Sequence, residues 1–527
     1  MSTATVESIP KQRGLAPKYW VLISTVFAIF MVVLDTTAVN VAFPTLRTEF
    51  NASISDAQWI ISIYVLSLGI STPLSAFLAK RFEMKRVFLA GLAIFCIGSF
   101  LCGIAPNLLF LTIMRAIQGF GGGIAVPLGP AFLFRTFPAK EQGYALGIFG
   151  IVMLVAPALG PILGGFLIDQ SLWRFIFFIN PPIGILGIIL GSKKLPMFPG
   201  DHKPSFDWLG LIFEVVGFGA VLYAASVAAY SGWNSPNVTI GFIVGGIGLA
   251  IFALVELFVA REPLLDLRLY GKRTFLIANI VGYISVIALF GAEFLLPIYL
   301  QFLRGKTAFE TGLVLLPMAI TGGVATIIAG RLYDKVGPRV LLAFGFGLLI
   351  LNTWQFSKLG ANESITWIMV LLGLRGLALG TTVQTTFVTG LSVVPLKEIA
   401  NGSSLTNATR QVIQAIAIAI LATVLVSTLS PQIAAMQQNF LDTPVTPGSA
   451  PIAVCGPVSS GTGGTSILPS AESALLAQAC QQNIAGFESA YKITFYAAIA
   501  ALVMGLLLPG WPFKWAGRRG ADEPPIG

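Results

Sequence analysis

Fourteen apolar runs, each about long enough to cross a bilayer as a helix, divide the chain. Eight fall at 19–42, 57–79, 86–105, 107–134, 144–168, 173–192, 207–230 and 238–260. Six more follow at 274–302, 309–331, 338–359, 366–393, 402–427 and 490–510. The runs lack the ten-residue alternation of barrel strands, so the pattern predicts transmembrane helices. The first 18 residues are polar and carry Lys11, Arg13 and Lys18. No small-residue cleavage site follows the first apolar run, which therefore reads as a retained span. Residues 428–489 are rich in Pro, Gly, Ser, Thr and Gln and too polar to span.

Composition narrows the class. Of 527 residues, 55% are hydrophobic and 10% charged, with mean hydropathy +0.84. An average soluble domain carries about 25% charged residues, and a soluble chain this long needs more polar surface than this one supplies. That excludes a cytosolic enzyme, a secreted disulfide scaffold, a coiled coil and a disordered protein. The expected fold is an all-α integral membrane protein.

The net charge of +9 is carried by the turns. With the N-terminus inside, 23 of the 32 Lys and Arg residues face the cytoplasm. Five face outward (Arg47, Arg174, Arg304, Lys306 and Lys358), and four lie within spans (Arg115, Arg375, Arg410 and Lys492). That asymmetry predicts an even number of spans with both termini cytoplasmic, and no nucleic acid is needed as a partner. Cys455 and Cys480 share the outer 428–489 loop, where a disulfide and two free thiols are both open readings. Cys96 and Cys102 lie in one helix and pack.

The chain also repeats itself. A basic turn at 76–86, with Arg81 and Arg86, has a counterpart 254 residues later at 330–339, with Gly330, Asp334, Gly337 and Arg339. Arg115 and Arg375 are 260 apart; Asp35 and Glu293 are 258 apart, each followed by a proline. The halves therefore read as two six-helix pseudo-repeats. Residues 1–192 form the first and 274–513 the second, including the outer loop. Between them, 193–273 hold an inserted helix pair expected at the periphery, and 514–527 form a cytoplasmic tail.

The repeat puts Asp35, Arg115, Glu293 and Arg375 at similar depth. A charge there costs a few kcal/mol or more unless it faces a water-filled cavity or a partner. One reading is a set of salt bridges joining the halves; the other is a proton- and substrate-binding site. Gln118, Gln384, Trp59 and Tyr64 are candidate cavity residues. Glu214 and Glu256, near the cytoplasmic ends of the inserted pair, are expected to be solvated.

The fifth span carries Gly150, Pro157, Gly160, Pro161, Gly164 and Gly165. Proline interrupts the backbone ladder and glycine admits a neighbouring helix, so this span is expected to be kinked and tightly packed. Other chemistry is missing from the sequence. The single histidine, His202, sits in a polar loop, and no metal-binding cluster, HExxH or GxSxG accompanies it. GxxxxGK[ST] is absent too, so ATP is not the local energy source.

These residues resemble the major facilitator superfamily, in the fourteen-helix drug:proton antiporter branch that includes the EmrB and QacA types. Leu34–Pro44 (LDTTAVNVAFP) is similar to its first-helix motif, Arg115–Gly119 (RAIQG) to its fourth-helix motif and Ala156–Gly165 (APALGPILGG) to its fifth-helix antiporter motif. Trp173–Pro181, Leu296–Gln301 and Asn407–Gln411 also resemble this branch. The chain departs from it at Lys80 and Glu83, where the first basic turn usually has an acid and a glycine. It departs again at Ile413 and Gln414, where glycines are usual.

The resemblance implies export of hydrophobic, cationic compounds in exchange for protons across a bacterial inner membrane. The proton gradient supplies the energy and no cofactor is used. Asp35 would bind proton or substrate, Arg115 would couple the two, and Glu293 would be a second acid. A periplasmic adaptor is implied as a partner if the host is Gram-negative. An exporter of one endogenous metabolite, lipid or siderophore is the alternative, and a sensor that moves without transporting is a remote one.

Overall fold

The computed structural model describes residues 16–198, 207–260, 262–430, 432–433, 454–455 and 470–510. Each of the fourteen expected spans meets a helical segment long and apolar enough to cross a membrane. The first half runs α1 (Pro17–Glu49), α2 (Ile54–Phe82), α3 (Met84–Gly103), α4 (Leu108–Ala125), α5 (Leu128–Thr136), α6 (Ala139–Asp169), α7 (Phe175–Phe178) and α8 (Asn180–Lys194). The inserted pair is α9 (Trp208–Ser231) and α10 (Pro236–Leu254). The second half is α11 (Arg273–Ile298), α12 (Ala308–Val336), α13 (Pro338–Phe356), α14 (Ile365–Leu391), α15 (Ile399–Ser427) and α16 (Ser470–Gly505).

Proline explains the two spans that are built from pieces. Pro127 has no N–H to continue the ladder, so α4 ends and α5 restarts beside it. Pro181 and Pro182 sit in the first turn of α8, where a missing N–H costs nothing. By contrast α6 runs as helix from end to end with Pro157 and Pro161 inside it.

The last span begins earlier than the apolar pattern predicts. Helix α16 starts at Ser470, twenty residues before the expected 490, so the second part of the 428–489 segment is helical. Alanine, leucine and glutamine favour helix whether or not the segment is apolar. This extension is fixed to the end of α15, because the Gln482 side chain accepts from Ser430 N at 2.7 Å.

The basic turns after α2 and α12 mark one end of the bundle, the basic end. A Cys455–Cys480 disulfide marks the other. Cys455 N also donates to the Leu303 carbonyl at 2.9 Å, tying α16 to the end of the α11 span.

Packing follows side-chain size. On α10, Gly241, Gly245 and Gly248 turn toward α9, while Ile240, Ile243 and Ile247 are more than half exposed. Water would reject that outer face, whereas lipid accepts it and rewards the close inner one. Helix α10 rests on α9, which in turn packs on the two halves. Tyr223 of α9 stacks on Trp59 of α2, and Trp233, just beyond the end of α9, donates to Thr423 of α15.

Two seams join the halves. Along the first, α6 lies against α12 from Gly165 beside Phe309 to Gly143 beside Gly330; a Cβ at Gly143 would come 2.6 Å from the Gly330 carbonyl. Along the second, α2 meets α15 toward the basic end. Ser75 and Ser404 hydroxyls are 2.8 Å apart, and Gln411 donates to Thr72 at 3.1 Å. Ser403 to the Pro127 carbonyl and Arg135 to the Leu396 carbonyl complete that closure.

Candidate functional site

Helices α1, α2, α3, α4 and α8 bring their rare polar side chains to one point in the first half. Asp35 and Arg115 form an ion pair at 2.5 Å with both side chains almost wholly buried. Gln118 and Asn180 each donate to the other Asp35 oxygen at 2.8 Å. Arg115 donates in turn to the Gln118 amide oxygen at 2.9 Å and to the Ile60 carbonyl at 3.1 Å. Its guanidinium lies 3.9 Å from the Tyr64 ring centre, within cation–π range. Tyr64 donates to the Val32 carbonyl, and Ser99 accepts from Asn180 at 3.0 Å.

A buried pair is tolerated only when hydrogen bonds satisfy its remaining valences, and this shell supplies them. Glycine makes room for it: a Cβ at Gly98 would press on Gln118 at 2.8 Å. The reading of salt bridges joining the halves fails for Asp35 and Arg115, which pair within the same half. Asn180 was missed by sequence reasoning. Its signal is an amide inside an apolar span, beside Pro181.

Arg375 is also fully buried but has a different shell. It donates to the Ala288 and Leu289 carbonyls of α11, and to Asn352 and Thr353 of α13 at 3.3 and 3.4 Å. Glu293 lies on α11, and its side chain falls outside the described residues.

The fifth-span residues line helix contacts on several sides. Gly160 and Gly164 face Thr37 and Ala38 of α1, Gly165 faces Phe309 of α12, and Gly150 faces Gln384 of α14. Helix α6 thus contacts both the segment that carries Asp35 and the opposite half. In the basic turns, Glu83 adopts φ 78° and Gly337 φ 76°. The two turns share one left-handed backbone, strained at Glu83 where a Cβ is present. Arg86 pairs with Glu83 at 3.2 Å, Arg81 lies over Phe82, Asp334 is exposed and Arg339 donates to the Leu508 carbonyl at 2.8 Å. His202 lies outside the described residues.

Glu214 and Glu256 are not solvated: their exposures are 0% and 1%. For Glu256, distance from the helix end misleads because the 262–272 segment folds back onto it, with Leu264 and Leu265 buried. Leu264 N donates to Glu256 at 3.2 Å. Neither carboxyl oxygen of Glu214 has a hydrogen-bond partner among the described residues. An unsatisfied buried polar group costs about 1–3 kcal/mol. Glu214→Leu is therefore expected to raise the melting temperature of the purified protein. A fall would reveal a structural partner for the carboxyl.

The Major Facilitator Superfamily model matches residues 25–418. The uncharacterized MFS-type transporter YhcA of Bacillus subtilis (strain 168) is 35% identical over 414 residues, 79% of this chain and 78% of that one. The lincomycin resistance protein LmrB of the same organism is 30% identical over 425 residues, 80% of this chain and 87% of that one. Among solved structures, the proton:xylose symporter XylE aligns with TM-score 0.55 at 13% identity, covering 94% of this chain and 96% of that one; this is a likeness of fold alone. With fourteen membrane-spanning helices among its described residues and its motifs on the expected helices, the chain belongs to the major facilitator superfamily.

Proposed function

We propose that this protein is a proton-coupled antiporter that exports hydrophobic, drug-like compounds by alternating access. The observation that carries the reading is the Asp35–Arg115 pair, a carboxylate and a guanidinium buried together in a membrane-spanning bundle. Resistance to lincomycin, named for the relative LmrB, supports drug export. In this reading the basic end faces the cytoplasm and the proton gradient supplies the energy.

Asp35 is the proton-binding acid. Protonation removes its charge and with it the attraction that holds Arg115 in place. The guanidinium must then move or find another acceptor, and α1 and α4 move with it. Helix α6 touches α1 through Gly160 and Gly164 and the opposite half through Gly150 and Gly165. That seam passes the change to the interface between halves. A proton entering from outside is also driven by voltage, worth about 2.3 kcal/mol per charge per 100 mV.

The test is dye efflux from cells stripped of their own pumps. The native chain is expected to lower retained dye, a protonophore to abolish that effect, and Asp35→Asn to behave like empty vector at equal membrane level. Efflux that persists with the protonophore present would remove proton coupling from the reading.

A further inference from the structure

The hydrogen bonds around Asp35 fit its charged form and must be rearranged for its neutral one. An ionised carboxylate only accepts, so its contacts are donors: Arg115 Nη1 on Oδ2, with Gln118 Nε2 and Asn180 Nδ2 on Oδ1. Protonation turns one of those oxygens into a donor, and the new O–H then points at an N–H. One neighbour has to exchange its donor for an acceptor.

Two of the three are poorly placed to do so. A guanidinium carries donors and no acceptor. The Gln118 amide oxygen is taken by Arg115 at 2.9 Å and by the Cys102 thiol at 3.7 Å, so turning that amide over would break both bonds. Tyr64 and Cys102, the other titratable side chains facing Asp35, direct their own protons to the Val32 carbonyl and to Gln118.

Asn180 differs. Its side-chain oxygen Oδ1 is buried and has no hydrogen-bond partner among the described residues, a costly state that native proteins keep for a reason. Half a turn of the amide exchanges Oδ1 and Nδ2 and leaves the backbone where it is. The free oxygen then stands where Nδ2 stands now, 2.8 Å from Asp35 Oδ1 and 3.0 Å from the Ser99 hydroxyl. Ser99 follows. Its single hydroxyl proton, now given to the Phe177 carbonyl at 2.8 Å, is free to turn to the Asn180 oxygen, which releases Phe177. Phe177 lies in α7 and Asn180 opens α8, so loading of Asp35 reaches the joint between the two pieces of the sixth span.

We propose that Asn180 is the acceptor for the Asp35 proton: its amide donates to the carboxylate and turns over to receive the carboxylic acid, with Ser99 turning after it. The proton comes from the outer water, stays on Asp35 Oδ1 and leaves toward the cytoplasm; Asn180 neither gains nor loses one. The proposal rests on the reading of Asp35 as the proton-binding acid and gives the loaded state its hydrogen bond.

The experiment records infrared difference spectra of the purified full chain in lipid, between alkaline and acidic buffer and without substrate. An O–H that donates a hydrogen bond lowers the carbonyl stretch of its carboxylic acid, so the band reports the acceptor. The native chain, Asp35→Asn, Asn180→Leu and Asn180→Asp are compared, each with its melting temperature as a check on folding. The native chain is expected to gain an acid band that Asp35→Asn lacks, and Asn180→Leu to shift that band to higher frequency. Asn180→Asp keeps an acceptor of the same size. Its band should stay low and appear at a pH higher by about one unit or more, because two adjacent carboxylates share one proton. A folded Asn180→Leu with the band at its native frequency overturns the acceptor and leaves Asp35 as the proton-binding acid. Should Asn180→Leu fail to fold, an Asn180→Asp band that appears at the native pH overturns it equally. If the native spectrum matches that of Asp35→Asn, Asp35 does not load a proton, and that reading falls together with this inference.

Discussion

Arg115→Ala is expected to abolish transport and to destabilise the protein by about 3–5 kcal/mol, the usual cost of stranding one member of a buried ion pair. The magnitude follows from the site. The Asp35 carboxylate is held at 2.5 Å by Arg115 and at 2.8 Å by two neutral amides. Without the guanidinium, two amide bonds must support a full charge in an apolar bundle. Asp35→Asn is expected to be milder for stability, because it removes the charge and leaves the packing. Combining Asp35→Asn with Arg115→Ala should restore much of the lost stability while transport remains absent. Melting temperatures of the four purified proteins measure this as a double-mutant cycle. Should Arg115→Ala alone melt like the native chain, Asp35 would already be neutral at rest, and the proposed cycle would have to begin from the proton-loaded state.

The same pair shows what was legible in the sequence. Asp35 and Arg115 stand out because a charge within an apolar run is rare and expensive. The spacing of the repeat set them at matched depth, and the structure brings them together. Their partners were harder to see. Gln118, a candidate cavity residue, turns out to satisfy the ion pair, and Asn180 gives no hint in one dimension of which way it points. The helices themselves were legible because lipid imposes a length and an apolar composition on each span.

Failures came where tertiary contacts override those rules. Helix α16 starts at Ser470 because alanine-rich chain can be helical outside lipid. Glu214 and Glu256 were judged by distance from a helix end, yet both are buried, Glu256 beneath the segment that carries Leu264. Helix α9 keeps exposed apolar residues such as Leu209 and Ile212, while Tyr223 and Trp233 give it contacts with both halves that the repeat does not foretell. Depth along one helix can be read from sequence; cover from elsewhere in the chain cannot.

A disulfide across the seam between α2 and α15 is expected to stop transport completely and reversibly. Ser75 and Ser404 come from different halves, and their hydroxyl oxygens are 2.8 Å apart. Cysteines placed there would have sulfurs close enough to bond, with little movement of backbone. The neighbouring Gln411–Thr72 and Ser403–Pro127 contacts fix the same face, so oxidation would trap the halves as they stand here. Alternating access requires the halves to rock apart at one end and close at the other, and a covalent tie at this end forbids half of that cycle. Ser75→Cys with Ser404→Cys, in a chain whose buried Cys96 and Cys102 are replaced by alanine, should lose efflux under oxidant and regain it with a thiol reductant. Each single cysteine variant should be indifferent to both. The native chain under the same reductant controls for the Cys455–Cys480 bond. A cross-linked protein that still exports at its full rate would show that this seam does not open during the cycle, and the rocking motion would have to be sought along α6 and α12 instead.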